Sequence, residues 1–377
     1  MFDMSLLSYN VSEKISFEIH NAVEDIAIPL KKGYVFLPVE VFSEVKRRLN
    51  RIPNIENLLK VINEHLLSPF NGTQKGEGYL IIDGLFPDSL YPKGINPNKY
   101  SSLDFAPFDS KNFRAFDFYV ELLENPLKVY VALACLVGIP FRMYESKTLI
   151  MPVTSRFHPK IDQAKFGGMG ENLLHKDGGF LIPHPSNVID EYSLGTGTEM
   201  LAFLSIIPDK FGSGVNWVLT ENVDELMKIF TIEELNLLKL PIYFNLPSYD
   251  LNDTKGLNKF PIFYRDFTGN WRLRFSGKLR SYMVKNWYND DPVYAQIDGE
   301  KILNLLDRID FYLSNHPNRK EILLKTGQII FLNQFVTMHG RSKVRDSNRL
   351  LAELFIRIPH INGSKNALRY ISQSVHK

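Results

Sequence analysis

The sequence contains one cysteine, no block of like charge and no basic leader followed by an apolar stretch. Cys135 cannot close an internal disulfide. It lies in the apolar run Val129 to Phe141 and reads as a small core residue, which suits a reducing, cytoplasmic setting. The 44 basic and 42 acidic residues leave a net charge of +2, and neither a long basic run nor an acidic tail is present. That balance argues against a dedicated nucleic-acid or membrane-surface role. The run around Cys135 is about 13 residues, short of the roughly 20 that a membrane helix needs. The opening MFDMSLLSYNVSEK has no secretory pattern, so none is expected. A Gly-x-Ser-x-Gly elbow and a Gly-x-x-x-x-Gly-Lys-Ser/Thr loop are both missing, which removes the serine hydrolase and phosphate-loop readings. Internal repeats and low-complexity tracts are absent too.

What is present is a chain of ordinary globular texture, 44% apolar and 23% charged over 377 residues. Residues 1–146 read as a mainly helical layer. Val39 to Asn50 and Ile55 to Leu67 carry apolar residues three and four apart, and Phe113 to Val137 reads as a helical pair interrupted at Pro126. One strand, Tyr79 to Asp83, is expected among these helices. From residue 147 the texture changes to short β-rich segments divided by Gly and Pro, with helical inserts near Asn222 to Lys239 and Gly299 to Asn315. The expectation is a mostly β fold with α: a double-stranded β-helix (jelly-roll) core over 147–360, then a tail over 361–377, all in one domain.

Nine histidines allow metal-ligand spacing to be checked one by one, and only His175 has a carboxylate two residues on, Asp177. With 42 acidic residues in 377, about one such match is expected by chance, so the pair alone carries little. Its context carries more. In a strand, residues 175 and 177 share a face, and Gly178-Gly179 lets the chain turn sharply beside them. His339 lies 164 residues on, at the end of the apolar strand GQIIFLNQFVTMHG. Two imidazoles and one carboxylate on a β scaffold, with coordination positions left open, is the facial triad of Fe(II) oxygenases.

The closing stretch RLLAELFIR alternates cleanly. Arg349, Glu353 and Arg357 fall on one strand face, and Leu350, Ala352, Leu354 and Ile356 on the other. A strand returning after His339 would carry Arg349 inward. A guanidinium pairs bidentately with a carboxylate, which suits the distal end of the cosubstrate 2-oxoglutarate. An exposed arginine pairing with Asp346 or Glu353 is the bland alternative.

GQIIFLNQFVTMHGRSKVRDSNRLLAELFIR resembles the closing segment of the clavaminate synthase-like and taurine dioxygenase-like Fe(II)/2-oxoglutarate oxygenases. LLHKDGGFLIPHP is similar to their His-Thr-Glu/Asp-x-x-Phe segment, GEGYLIIDGLFPD to their Gly-x-Gly strand, and ALACLVGIPF to the helix that follows. The resemblance implies His175, Asp177 and His339 as iron ligands and Arg349 as the 2-oxoglutarate clamp, with O2 as the second cosubstrate. It implies hydroxylation of a small molecule, with desaturation, cyclisation or a silent binding module as rivals.

Several positions depart from the family pattern. Lys176 replaces a usual Thr, and Val215 stands where a Thr would help to bind 2-oxoglutarate, leaving Ser213 or Asn216 to substitute. Glu353 occupies a position where relatives acting on amino acids present an arginine to the substrate carboxylate. Ser276 stands where arginine hydroxylases carry acidic residues. Glu353 and Ser276 are therefore the substrate-facing candidates, and Glu353 implies a substrate with a cationic group. The oligomeric state is not legible.

Overall fold

The computed structural model describes residues 7–30, 36–68, 76–88, 90, 120–141, 149–154, 171–176, 199–245, 257–265, 270–283, 298–346 and 349–358. Asp177, Gly178, Gly179 and the tail lie outside them.

The expected N-terminal helices form for the expected reasons. Helix α1 (Glu13–Val23) starts at Ser12, whose hydroxyl accepts from the Ile15 amide at 3.4 Å, and it buries Ile15, Ile19 and Val23 along one stripe. Helices α2 (Val39–Leu49) and α3 (Ile55–Ile62) follow, and α3 continues as a π-helical turn, Asn63–Leu67. Asn54, left-handed at φ 65°, breaks the chain between them. The expected helical pair is present, but its break lies at Leu123 rather than Pro126: residues 120–122 are helical, 123 is a turn, and helix α4 spans Glu124–Val137. Pro126 is the helix's third residue, where an amide would have no intrahelical acceptor, so the ring costs nothing there.

The strands are β1 (Ser8–Asn10), β2 (Tyr79–Asp83), β3 (Ile139–Phe141), β4 (Met151–Thr154), β5 (Asn172–His175), β6 (Met200–Ile207), β7 (Asn216–Thr220), β8 (Ile242–Asn245), β9 (Leu257–Phe260), β10 (Phe263–Arg265), β11 (Trp271–Leu273), β12 (Lys320–Ile322), β13 (Ile329–Asn333), β14 (Thr337–Arg341) and β15 (Leu350–Arg357). Helices α5 (Val223–Met227), α6 (Ile232–Lys239), α7 (Leu279–Tyr282) and α8 (Gly299–Ser314) interrupt them. A capping box opens α6. The Thr231 hydroxyl accepts from the Glu234 amide, and the Glu234 carboxylate accepts from the Thr231 amide.

The strands form a large sheet, ordered β1-β2-β13-β6-β15-β3 with β4 also on β15, and a small sheet, ordered β12-β7-β14-β5. Apart from the parallel β1–β2 pair, their pairings are antiparallel. Four of the pairings nest: β4 with β15, β5 with β14, β6 with β13 and β7 with β12. Three strands from the first 146 residues, β1, β2 and β3, extend the large sheet, so the helical layer is stitched to the core as well as packed on it.

Period-2 alternation sorts the side chains of both sheets. Leu80, Ile82, Ala202, Leu204, Phe331, Ala352 and Leu354 join the helices α1 to α4 in one cluster on the outer face of the large sheet. Leu174, Trp217, Leu219 and Met338 join α5, α6 and α8 on the outer face of the small one. A third cluster lies between the sheets and draws Leu201, Ile330, Leu332 and Phe355 from one, Val218 and Ile322 from the other. Burying a single such side chain contributes about 1.5–3 kcal/mol.

One expected strand divides in two. GQIIFLNQFVTMHG forms β13 and β14 with a turn between them. The Asn333 side chain accepts from the Phe335 amide at 2.9 Å, and the Thr337 hydroxyl donates to the Asn333 carbonyl at 2.8 Å. This Asx turn moves β14 to the other sheet, and His339 lies mid-strand rather than at a strand end. Among the described residues, no helix is long and apolar enough to cross a membrane.

Candidate metal and cosubstrate site

His175 and His339 are direct cross-strand partners in the β5–β14 ladder. Cross-strand partners present their side chains to the same face. Since Leu174 and Met338 face outward, both imidazoles point between the sheets. Their ring centroids lie 4.3 Å apart. His175 Nδ1 donates to the Leu173 carbonyl at 2.6 Å, which assigns its proton and leaves the Nε2 lone pair for a ligand. Nε2 meets the Asn172 amide at 3.5 Å. His339 is 8% exposed and lies 5.9 Å from the ring of Phe203, which reaches across from the large sheet. Gly340 is needed where it stands, because a Cβ there would approach the Asn172 carbonyl to 2.7 Å and push β5 away.

The pair fits a metal as two neutral imidazole ligands would. Asp177, the third expected ligand, is outside the described residues, and among the described ones no three His, Cys, Asp or Glu side chains converge on a point.

A positive pole lies further along the same strand. Arg341 follows His339 by two residues, so it shares the inner face about 7 Å away. Arg349 comes from the start of β15 on the opposite sheet, is buried, and donates from Nη2 to Asn216 Oδ1 at 3.3 Å. Asn216 is itself the cross-strand partner of Arg341, so the two guanidiniums approach one residue from different sheets. Burial pulls Arg349 down to about 9, with Arg341 adding to the shift and Asp209 opposing it. Burial alone pulls Arg341 down to about 10. Both stay cationic at neutral pH, and both would be relieved by a carboxylate. Gly214, at φ +65°, passes beside Arg349, where a Cβ would meet its Nε at 3.3 Å.

The remaining sequence candidates fall into three places. Ser213 is near Arg349 in the chain's fold but spends its hydroxyl elsewhere, donating to Asp209 at 2.5 Å and accepting from the Arg345 amide at 2.9 Å. Ser276 sits beside the histidine pair, bridged to His175 through the backbone, and its hydroxyl accepts from the Lys278 amide at 3.3 Å. Glu353 is buried on the inner face of β15 and is the cross-strand partner of Phe203, the residue packed on His339. Arg357, at the far end of β15, pairs with buried Glu199 at 3.3 Å. Burial pushes Glu199 up to about 7 against the pull of Arg357.

Two buried groups escape a sequence reading. Lys176 is 2% exposed and forms an ion pair with Glu221 at 2.8 Å, where burial lowers its ammonium and Glu221 opposes the shift. Arg274 is buried with its guanidinium 4.3 Å from the Tyr264 ring. Arg341, by contrast, was available from parity alone, two residues after a strand histidine.

No family model matches the chain, and no curated protein sequence does. Solved structures do. A structure of asparagine oxygenase with Fe(II), (2S,3S)-3-hydroxyasparagine and succinate superposes with a TM-score of 0.58 at 14% identity, covering 93% of both chains. The non-haem iron oxygenase OrfP with Fe and 2-oxoglutarate gives 0.58 at 16% identity, covering 93% of this chain and 94% of that one. OrfP with Fe, succinate and (3S)-hydroxy-L-arginine gives 0.55 at 13% identity over the same shares. The chain therefore has the fold of these non-haem iron oxygenases along nearly its whole length.

Proposed function

We propose that this protein is a single-domain Fe(II)- and 2-oxoglutarate-dependent dioxygenase that hydroxylates an unactivated C–H of a small amino-acid-class substrate. The nested strand pairing supports reading its two sheets as a double-stranded β-helix. One observation carries the functional reading: the paired imidazoles and the two-arginine pole stand one strand repeat apart on the inner face. His175, His339 and Asp177 would hold the metal. Arg349, with Arg341 and Asn216 beside it, would take the distal carboxylate of 2-oxoglutarate, since buried guanidiniums favour a carboxylate in a site that excludes water. When bound, iron with 2-oxoglutarate and O2 supplies the oxidising equivalent, and succinate and CO2 are released. The chain's own contribution is orientation and dryness: Phe203 shields one side of His339, and the apolar cluster between the sheets limits water.

The related folds carry hydroxylated asparagine and hydroxylated arginine, which supports an amino acid or a derivative of one. Glu353, next to Phe203 on the inner face, supports a cationic group on it. A buried carboxylate there attracts an ammonium or guanidinium and repels an acid. The test is succinate release with Fe(II) and ascorbate across free amino acids, their amides and peptidyl forms. A basic amino acid or amine-bearing derivative should stimulate release most. Absence of both Fe(II) binding and 2-oxoglutarate-dependent O2 uptake overturns the reading.

Glu353→Gln separates the substrate from the cosubstrate. Losing a charge-assisted contact worth about 1.5–3 kcal/mol should raise KM for the cationic substrate at least about tenfold, with KM for 2-oxoglutarate nearly unchanged. A shift in the 2-oxoglutarate KM instead would make Glu353 a partner of the clamp.

A further inference from the structure

His175 ends β5, a strand of four residues at the edge of the small sheet. Its ladder to β14 has partners at His339↔His175 and Arg341↔Asn172, with the register shifting between them. Beyond that short and irregular ladder, His175 is held by its Nδ1 bond to the Leu173 carbonyl and by a backbone bridge to Ser276. Yet two imidazoles that share an ion must be held to a fraction of an ångström.

The next residue, Lys176, is the one lysine among the largest fully buried side chains of the described residues. Its Nζ forms an ion pair with Glu221 at 2.8 Å and donates to the Phe335 carbonyl at 3.2 Å. Each acceptor belongs to a different part of the sheet. Glu221 directly follows β7, and its own amide donates to the Val336 carbonyl at 2.7 Å. Phe335 and Val336 form the turn that launches β14, four residues before His339. That turn is fixed in its own right through Asn333, whose side chain accepts from the Phe335 amide and donates to the Leu66 carbonyl at 2.7 Å. One ammonium thus joins the end of β5 to the end of β7 and the start of β14.

We propose that Lys176 and Glu221 form a buried latch that sets His175 against His339, which makes Lys176 a positioning residue for the metal site. The inference rests on the reading of both histidines as metal ligands. Stability gives a poor account of this pair. Removing two charges from water offsets much of their attraction, and apolar replacement of a buried ion pair is often neutral or stabilising. A role in geometry gives the pair a function that an apolar pair would not fulfil.

The test compares Lys176→Met with the double variant Lys176→Met/Glu221→Leu, titrated anaerobically with Fe(II) by calorimetry alongside thermal melting. The single variant removes one charge of the pair, and its melting temperature should fall. The double variant removes both charges while Arg272 and Arg274 stay buried within electrostatic reach, so its melt establishes that it is folded before its affinity is read. Its Fe(II) affinity should weaken about ten- to a hundred-fold, the range typical of residues that orient metal ligands. The charge-transfer band of the Fe(II)–2-oxoglutarate complex should shift as well. Parental Fe(II) affinity and an unchanged band in a folded double variant overturn the latch. His175→Ala and His339→Ala run in parallel keep the two claims apart. If these lose iron while the latch variants keep it, the latch alone fails; if they keep iron, the metal reading itself fails.

Discussion

Alanine at His175 or His339 should abolish Fe(II) binding and turnover while the metal-free protein stays folded. Each substitution would remove one of the proposed ligands from a partly open site, so the loss should exceed the ten- to hundred-fold, about 1.4–2.8 kcal/mol, typical of residues beyond the ligands themselves. Folding is expected to survive because neither imidazole belongs to the apolar clusters that join the helices to the sheets. Metal linkage gives a readout independent of catalysis. At Fe(II) a hundred times its dissociation constant, the parent should gain about 2.7 kcal/mol of stability, and the variants none. The check is anaerobic melting with and without Fe(II), beside succinate release. Parental iron-dependent stabilisation in both variants would remove these histidines from the site.

How far the sequence foretold this arrangement depends on the range of the interaction. The alternation of Arg349 to Arg357 was legible because a strand buried on both faces writes its two environments into successive residues, and the structure buries all eight residues of β15. Tyr79–Asp83 and the starts of α2 and α3 were legible for similar local reasons. The division of β13 from β14 was hidden. Gln334, Phe335 and Val336 are buried turn residues, so the hydrophobic pattern runs straight through them. Only the Asn333 side chain marks the turn, and an asparagine inside an apolar run reads equally well as a strand residue.

The site shows the same division. His175 and His339 could be picked out as candidates, but their facing register follows from strand nesting, which no local pattern encodes. The Lys176–Glu221 pair was illegible because its partners stand on different strands with no periodic relation between them. In the sequence Lys176 stands out only as the replacement of a usual Thr, and its burial in an ion pair is visible only in the structure. Ser213 failed as a guide for the opposite reason. It was one of two alternatives, with Asn216, for the threonine missing at Val215; its hydroxyl is held by Asp209 and the Arg345 amide, while Asn216 meets Arg349.

Arg349→Lys should weaken the apparent affinity for 2-oxoglutarate about ten- to a hundred-fold, or roughly 1.5–3 kcal/mol. Lysine keeps the charge but loses the planar fork, so the second prong of a bidentate carboxylate contact disappears. Its ammonium is also more strongly hydrated, so holding it at this buried position costs more than holding the guanidinium. Arg341 sets the scale of what survives. It stands on the facing sheet beside the same asparagine, so it can keep one charged contact to the carboxylate, and activity should persist at saturating 2-oxoglutarate. Arg341→Lys should therefore do less than Arg349→Lys, and the two together more than either. The measurement is KM for 2-oxoglutarate in succinate release, with Fe(II) affinity as the control that should stay at the parental value. Unchanged 2-oxoglutarate dependence in Arg349→Lys, with a large loss in Arg341→Lys, would transfer the clamp to β14 and leave Arg349 as its electrostatic neighbour.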